Sequence, residues 1–232
     1  MARSLGELNI TFPKEDFLKI CQELIKKNTL EEGMIYLQVT RGNAERDFTF
    51  SLDLTPNIVA FTQTRDIAND PMVRKGLRVM TQPDIRWLRR DIKTTQLLAQ
   101  SMAKMVAKDA GFDDAWLVDD LGYITEGSSS NAAIIRGNRL ITRNANHEIL
   151  DGITRHGLFK AIEKVGLTLV ERKFTPEEAK QADAALMTAS TALITPVVNI
   201  DGQDIGTGKP AFLVLALRRS YLEIITQTRH SL

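Results

Sequence analysis

Thr125-Glu126-Gly127-Ser128-Ser129-Ser130-Asn131 stands between two short apolar runs, Ala115 to Val118 and Ala132 to Ile135. Short runs rich in apolar and β-branched residues, bounded by polar turn residues, are the mark of strands. Read alone, the stretch between them is a polar turn. Read for chemistry, it delivers a carboxylate from a strand end and follows it with hydroxyls and backbone donors that suit a polar ligand. Directly after it, Gly137-Asn138 joins Ala132 to Ile135 with Leu140 to Thr142 as a hairpin. This part of the chain is built from short strands and tight turns.

Outward toward the C-terminus the spacing predicts a helix over Ile153 to Val165, a strand over Thr168 to Glu171 and a short helix over Pro176 to Gln181. Strands over Ala184 to Thr188 and Ile194 to Ile200 follow, and a closing helix over Pro210 to Thr228. Outward toward the N-terminus, Pro13 opens a helix at its favoured first-turn position. Phe17, Leu18, Ile20, Cys21, Leu24 and Ile25 repeat at helical spacing up to Lys27. Met34 to Thr40, Ile58 to Gln63 and Leu77 to Gln82 read as strands. Thr94 to Ala110 reads as a helix whose Leu97, Leu98, Met102, Met105 and Val106 share one packed side. Strands and helices mix without strict βαβ alternation, so the fold class is α+β, with a first domain over residues 1–68 and a second over 69–232.

Composition narrows the function. The 232 residues are 43% hydrophobic and 25% charged, which excludes disorder as a main theme. Thirty Lys plus Arg against 29 Asp plus Glu leave a net charge of +1, so binding to nucleic acid through phosphate neutralisation is disfavoured. The single cysteine, Cys21, forms no internal disulfide, and His147, His156 and His230 have no paired metal-ligand spacing; no metal site is expected. No stretch approaches the about 20 apolar residues of a membrane span, and Met1 to Pro13 lacks the pattern of a signal peptide. The chain reads as cytoplasmic, with no membrane partner.

Three further constellations carry possible chemistry. Lys93 follows Arg86, Arg89 and Arg90 just before a helix. It is either a solvated surface charge or an amine that forms a Schiff base, a role that nearby cations favour by lowering its pKa. Leu150-Asp151-Gly152-Ile153-Thr154-Arg155 leads into a helix whose free N–H groups favour an anion such as phosphate, while Thr154 serves equally well as a simple cap. Thr188-Ala189-Ser190-Thr191-Ala192 offers more hydroxyls at a strand end, for an anion or for a turn.

In their order and spacing these stretches resemble the fold-type IV pyridoxal-phosphate enzymes, and among them the D-amino acid aminotransferases. The likeness runs through Ile35-Tyr36-Leu37-Gln38-Val39-Thr40-Arg41-Gly42, Asp84-Ile85-Arg86-Trp87 with Asp91-Ile92-Lys93, the Glu-Gly-Ser-Ser-Ser-Asn run, Gly152-Ile153-Thr154-Arg155, and Thr195-Pro196-Val197. The run at Glu126 is the most specific, because branched-chain aminotransferases usually continue differently after that glutamate.

The resemblance implies a two-domain α+β enzyme with pyridoxal 5'-phosphate as cofactor. Lys93 looks like the lysine that holds the cofactor through a Schiff base and then moves the proton at the substrate's α-carbon. Glu126 looks like the acid facing the pyridine nitrogen. Ile153, Thr154 and Ser190 look like the phosphate cup, and Leu150 would lie under the ring. Arg46 matches the arginine that holds the substrate's α-carboxylate, commonly across a homodimer interface; the family's histidine two positions later is Phe48 here. Relatives carry several dozen more residues at the front, so the small domain is expected to be N-terminally incomplete, with no counterpart of their phosphate-binding arginine.

The expected activity is transamination between a D-amino acid such as D-alanine and a 2-oxo acid such as 2-oxoglutarate. The alternatives are a branched-chain aminotransferase, a lyase of the aminodeoxychorismate type, which shares the lysine and the glutamate, and an inactive short form.

Overall fold

A computed structural model describes residues 1–11 and 14–229. Pro13 and His230 lie outside the described residues. The chain falls into two compact units, Met1–Ile67 and Ala68–Leu232.

The first unit opens with helices α1 (Ala2–Glu7) and α2 (Lys14–Lys27). Strands β1 (Gly33–Thr40) and β2 (Asn57–Thr64) then pair antiparallel, Gly33 opposite Thr64 and Thr40 opposite Asn57. Exposure alternates along β2, with Asn57, Val59 and Phe61 exposed and Ile58, Ala60 and Thr62 half-buried, which fits a ribbon with one covered face. Tyr36 and Phe61, directly opposite across the ladder, stack with ring centroids 4.9 Å apart. The connection between the strands, residues 41–56, is largely exposed and carries Arg46 and Phe48. Arg41 at its root donates to the carbonyls of Leu8 and Asn9 and lies over the Phe50 ring.

The second unit begins with α3 (Met72–Lys75) and β3 (Leu77–Pro83), followed by the long loop that holds Lys93. Helix α4 (Leu98–Asp109) crosses to β4 (Asp114–Val118), which lies parallel to β3, as a crossover helix permits. Then come β5 (Ile124–Gly127), β6 (Asn131–Arg136), β7 (Arg139–Thr142), helix α5 (Ile153–Val165) and β8 (Thr168–Glu171). Helix α6 (Pro176–Lys180), β9 (Ala184–Ala189), β10 (Leu193–Ile200), β11 (Gln203–Asp204) and α7 (Phe212–Arg229) complete it. Gly137, at φ +59°, supplies the left-handed turn that closes the β6–β7 hairpin.

The nine strands form one mixed sheet in the order β5-β4-β3-β10-β9-β6-β7-β8, with β11 beside β10. Only the three residues 128–130 join β5 at the sheet's end to β6 in its middle. The sheet therefore curls until the two meet, which brings Glu126 against Asn131. Val79, Trp116, Ile124, Ile134, Ile141, Phe174, Met187 and Val197 fill the core of this curl, with Trp116 and Phe174 edge to face. Helices α5 and α7 pack on each other, and both rest on β9 and β10.

Two expectations are corrected. The side of α4 that carries Leu98, Met102, Met105 and Val106, with Leu97 before it, is exposed; Ala103 and Ala107 face Ala115 and Leu117 instead. Periodicity shows which residues share a face, and here the small residues allow close helix–sheet approach. Thr125 to Gly127 is a buried strand rather than part of a turn. No helix among the described residues is long and apolar enough to cross a membrane.

Candidate active site

Glu126 owes its position to an irregularity in the sheet. Trp116 pairs with Gly127 and Val118 with Ile124, so two residues, Thr125 and Glu126, stand opposite the single Leu117. Such a bulge re-aims a side chain. The Thr125 hydroxyl donates to Asp84 at 2.7 Å, and the buried Glu126 carboxylate accepts from Arg86 Nη1 at 2.5 Å, Asn131 Nδ2 at 3.0 Å and the Leu150 N–H at 3.1 Å. Burial pushes the Glu126 carboxyl above the usual carboxylate range, against the pull of the Arg86 guanidinium and the Leu150 N–H.

Asn131 is the hub. Its Nδ2 also donates to the Leu150 carbonyl at 2.7 Å, which fixes the loop entering α5. Its Oδ1 lies where Gly152 comes close: a Cβ on Gly152 would sit 2.4 Å away. On β6, Asn131 is paired in register with Thr188 of β9, two residues before Ser190. Glu126, Leu150 and the close approach of Gly152 at the start of α5 therefore meet at the Asn131 side chain, while β9 pairs with the Asn131 backbone.

Helix α5 starts at Ile153 with Gly152 as its N-cap and no side-chain cap, so Thr154 is not the cap that its sequence position allows. The hydroxyls of Thr154 and Thr188 are buried and have no hydrogen-bond partner among the described residues. Ser190 is exposed in the turn between β9 and β10. That turn is held from α7 by Arg218, which donates to the carbonyls of Ala192 at 2.7 Å, Ile194 at 2.9 Å and Ala68 at 2.9 Å. Behind the loop that carries Leu150, the buried Arg143 pairs with Asp119 at 2.7 Å and Glu148 at 2.8 Å, and donates to the Ile124 carbonyl.

Lys93 is exposed in the loop after β3. Its arginine neighbours are matched by carboxylates: Arg86 and Arg90 by Asp84, Arg89 by Asp91. Arg46 belongs to the other unit, on its exposed loop, with its guanidinium 5.6 Å from the centre of the Phe48 ring. The structure thus brings Glu126, Leu150 and Gly152, the residue before Ile153 and Thr154, together at Asn131, sets Thr188 opposite it in the sheet with Ser190 two residues further on, and leaves Lys93 and Arg46 on loops. Sequence reasoning missed Arg86 as a partner of Glu126 and Asn131 as the hub. The signal for Asn131 was its place at the end of the run that begins at Glu126.

The residues present fit pyridoxal phosphate. An uncapped helix start and two unpartnered buried hydroxyls suit a phosphate, and a buried carboxylate suits a basic ring nitrogen.

The model of the family described as amino-transferase class IV matches residues 1–200, and the chain belongs to that family of pyridoxal-phosphate-dependent aminotransferases. It is 36% identical over 225 residues to the D-alanine aminotransferase of Bacillus licheniformis, a match that covers 95% of this chain and 79% of that enzyme. Among solved structures, the branched-chain amino acid aminotransferase of Escherichia coli shares the fold with a TM-score of 0.88 at 19% identity, over 96% of this chain and 76% of that one. The branched-chain amino acid aminotransferase of Thermobaculum terrenum, solved in its PLP form, shares it with a TM-score of 0.82 at 22% identity, over 97% of this chain and 75% of that one.

Proposed function

We propose that this aminotransferase moves the amino group of a D-amino acid such as D-alanine to a 2-oxo acid such as 2-oxoglutarate, through pyridoxal phosphate held in the site around Asn131. The observation that carries the reading is the tie from Glu126 through Asn131 to the start of α5, in a chain 36% identical to a D-alanine aminotransferase. When bound, the cofactor supplies an aldehyde that exchanges with the amino group and a ring that draws electrons from the substrate's α-carbon.

The protein's own residues do the rest. Lys93 would hold the cofactor covalently, and its Nζ, once released, would carry the proton between the substrate's α-carbon and the cofactor's C4′. Glu126 presents one carboxylate to the ring nitrogen. The first N–H groups of α5 at Ile153 and Thr154, with the hydroxyls of Thr154 and Ser190, hold the phosphate, whose charge the helix start favours. Leu150 would offer the ring an apolar contact without proton traffic. Arg46 binds the α-carboxylate through its planar fork. The assembly is a homodimer, a reading supported by the exposed apolar face of Leu98, Met102, Met105 and Val106 on α4.

The test is to incubate the protein and pyridoxal phosphate with D-alanine and 2-oxoglutarate and to resolve the products on a chiral column. Pyruvate and D-glutamate in equal amounts are expected. Equal turnover of L-leucine, or pyruvate released from aminodeoxychorismate with no amino acceptor, would replace this reading by the branched-chain or the lyase one.

A further inference from the structure

We propose that Arg86 is a positioning residue that keeps the Glu126 carboxyl ionised where the cofactor's ring nitrogen would meet it, a proposal that rests on the reading of Glu126 given above.

The geometry begins at Asp84, whose two oxygens accept from Arg86 Nε at 2.8 Å and Nη2 at 2.7 Å. This two-point grip leaves the guanidinium one orientation. In that orientation Nη1 reaches Glu126 Oε1 at 2.5 Å. The Thr125 hydroxyl and the Arg90 Nε, 3.0 Å from Asp84 Oδ2, complete the surroundings of Asp84. The side chains of Asp84, Arg86, Arg90 and Glu126 are all less than a tenth exposed. Two carboxylates face two guanidiniums, so the group as a whole is neutral.

The hydrogen bonds identify the protonation state of Glu126. The Leu150 carbonyl accepts from Asn131, so it is the amide nitrogen of Asn131 that also faces Glu126. Among the described residues, Glu126 is hydrogen-bonded by Arg86 Nη1, Asn131 Nδ2 and the Leu150 N–H, all of them donors. A protonated carboxyl needs an acceptor for its O–H, and these partners provide none. A carboxylate has about four lone-pair sites, so three donors leave one for a ring N–H.

Burial works the other way and favours the neutral acid. Arg86 carries the charge that offsets it. Without Arg86 the two buried carboxylates would be left with one guanidinium, that of Arg90, which pairs with Asp84. Asp84 would keep Arg90 and the Thr125 hydroxyl, whereas Glu126 would keep only two uncharged donors. The proton would therefore settle on Glu126, and a neutral acid does not hold a proton on the ring nitrogen.

Infrared spectroscopy of the full chain tests this without substrate turnover. At pH 7 the wild-type protein should show no protonated-carboxyl band assignable to Glu126. Arg86→Met should show one, because losing a close opposite charge leaves burial to favour the neutral acid, and its amplitude should fall as the pH is raised. The band should vanish in Arg86→Met/Glu126→Gln and be absent in Arg86→Lys, which keeps the charge. With pyridoxal phosphate bound, the pH dependence of the visible spectrum of Arg86→Met should match that of Glu126→Gln. A folded Arg86→Met with no such band overturns the proposal, as does an Arg86→Lys that behaves like Arg86→Met. If Arg86→Met does not fold, Arg86→Gln against Arg86→Lys is read in the same way. A band in Arg86→Met with a cofactor spectrum that Glu126→Gln leaves unchanged overturns the reading of Glu126 and leaves the hold of Arg86 on its charge standing.

Discussion

Gly152→Ala isolates the link between the start of α5, where we propose the phosphate binds, and Glu126, where we propose the ring nitrogen lies. At Gly152 the backbone is extended, φ −73° and ψ 139°, so alanine meets no backbone strain there. The added Cβ would lie 2.4 Å from Asn131 Oδ1, about 1 Å inside ordinary contact distance. Asn131 is buried on a paired strand and cannot yield without turning its amide. Turning it breaks the bonds to Leu150 and Glu126, of which the second involves a charged partner. Two such losses cost about 2–4 kcal/mol, and the lower entropy of an alanine chain in the unfolded state returns about 0.4–1 kcal/mol. A net loss of about 1–3 kcal/mol is expected, the range seen for overpacked sites. Urea unfolding read by tryptophan fluorescence measures it, because Trp116 lies in the core of this unit. Pyridoxal-phosphate binding to the same variant should weaken together with the stability. A variant within about 0.5 kcal/mol of wild type that binds the cofactor equally well would refute the view of Asn131 as the hub.

Three other outcomes follow from the same contacts. Burial pushes Glu148 up, but Lys173, Arg143 and Asn146 outweigh it and hold its carboxyl at about 2, below the ordinary 4.5. Its contribution is present above pH 4.5 and lost as the pH falls toward 2, so the stability gap between wild type and Glu148→Gln should close across that window in acid titrations followed by circular dichroism. Arg218→Met removes one donor from each of three backbone carbonyls, of which Ala192 keeps the Thr195 hydroxyl, and should cost about 1–3 kcal/mol, with affinity for pyridoxal phosphate falling more than affinity for pyridoxal, since the turn it holds carries Ser190; equal losses for both ligands would remove the turn from the phosphate site. Met102→Lys with Met105→Glu on the exposed face of α4 should convert a dimer to a monomer in sedimentation while leaving the circular dichroism unchanged; a dimer that persists places the interface elsewhere.

What was legible in the sequence follows from how local each signal is. The start of α5 at Ile153 and the β6–β7 hairpin at Gly137 rest on neighbours a few residues apart, and both lie where the pattern puts them. The strand at Thr125 to Gly127 is polar because it carries the site, so its composition reads as a turn. The face of α4 was misread because a repeat of large apolar residues says nothing about what covers it. Arg86 and Glu126 stand 40 positions apart and meet because β4 lies between β3 and β5 in the sheet. That neighbourhood is a property of the topology, and no spacing within the chain announces it.

We propose that this chain works as a pyridoxal-phosphate aminotransferase through Lys93. This is tested most directly by reducing the pyridoxal-phosphate-loaded protein with borohydride, digesting it and mapping the phosphopyridoxyl group by mass spectrometry. The label is expected on Lys93 alone, and it should be lost when D-alanine is added before the reductant in the absence of a 2-oxo acid. Label on a different lysine, or label on Lys93 that D-alanine does not displace, would contradict it.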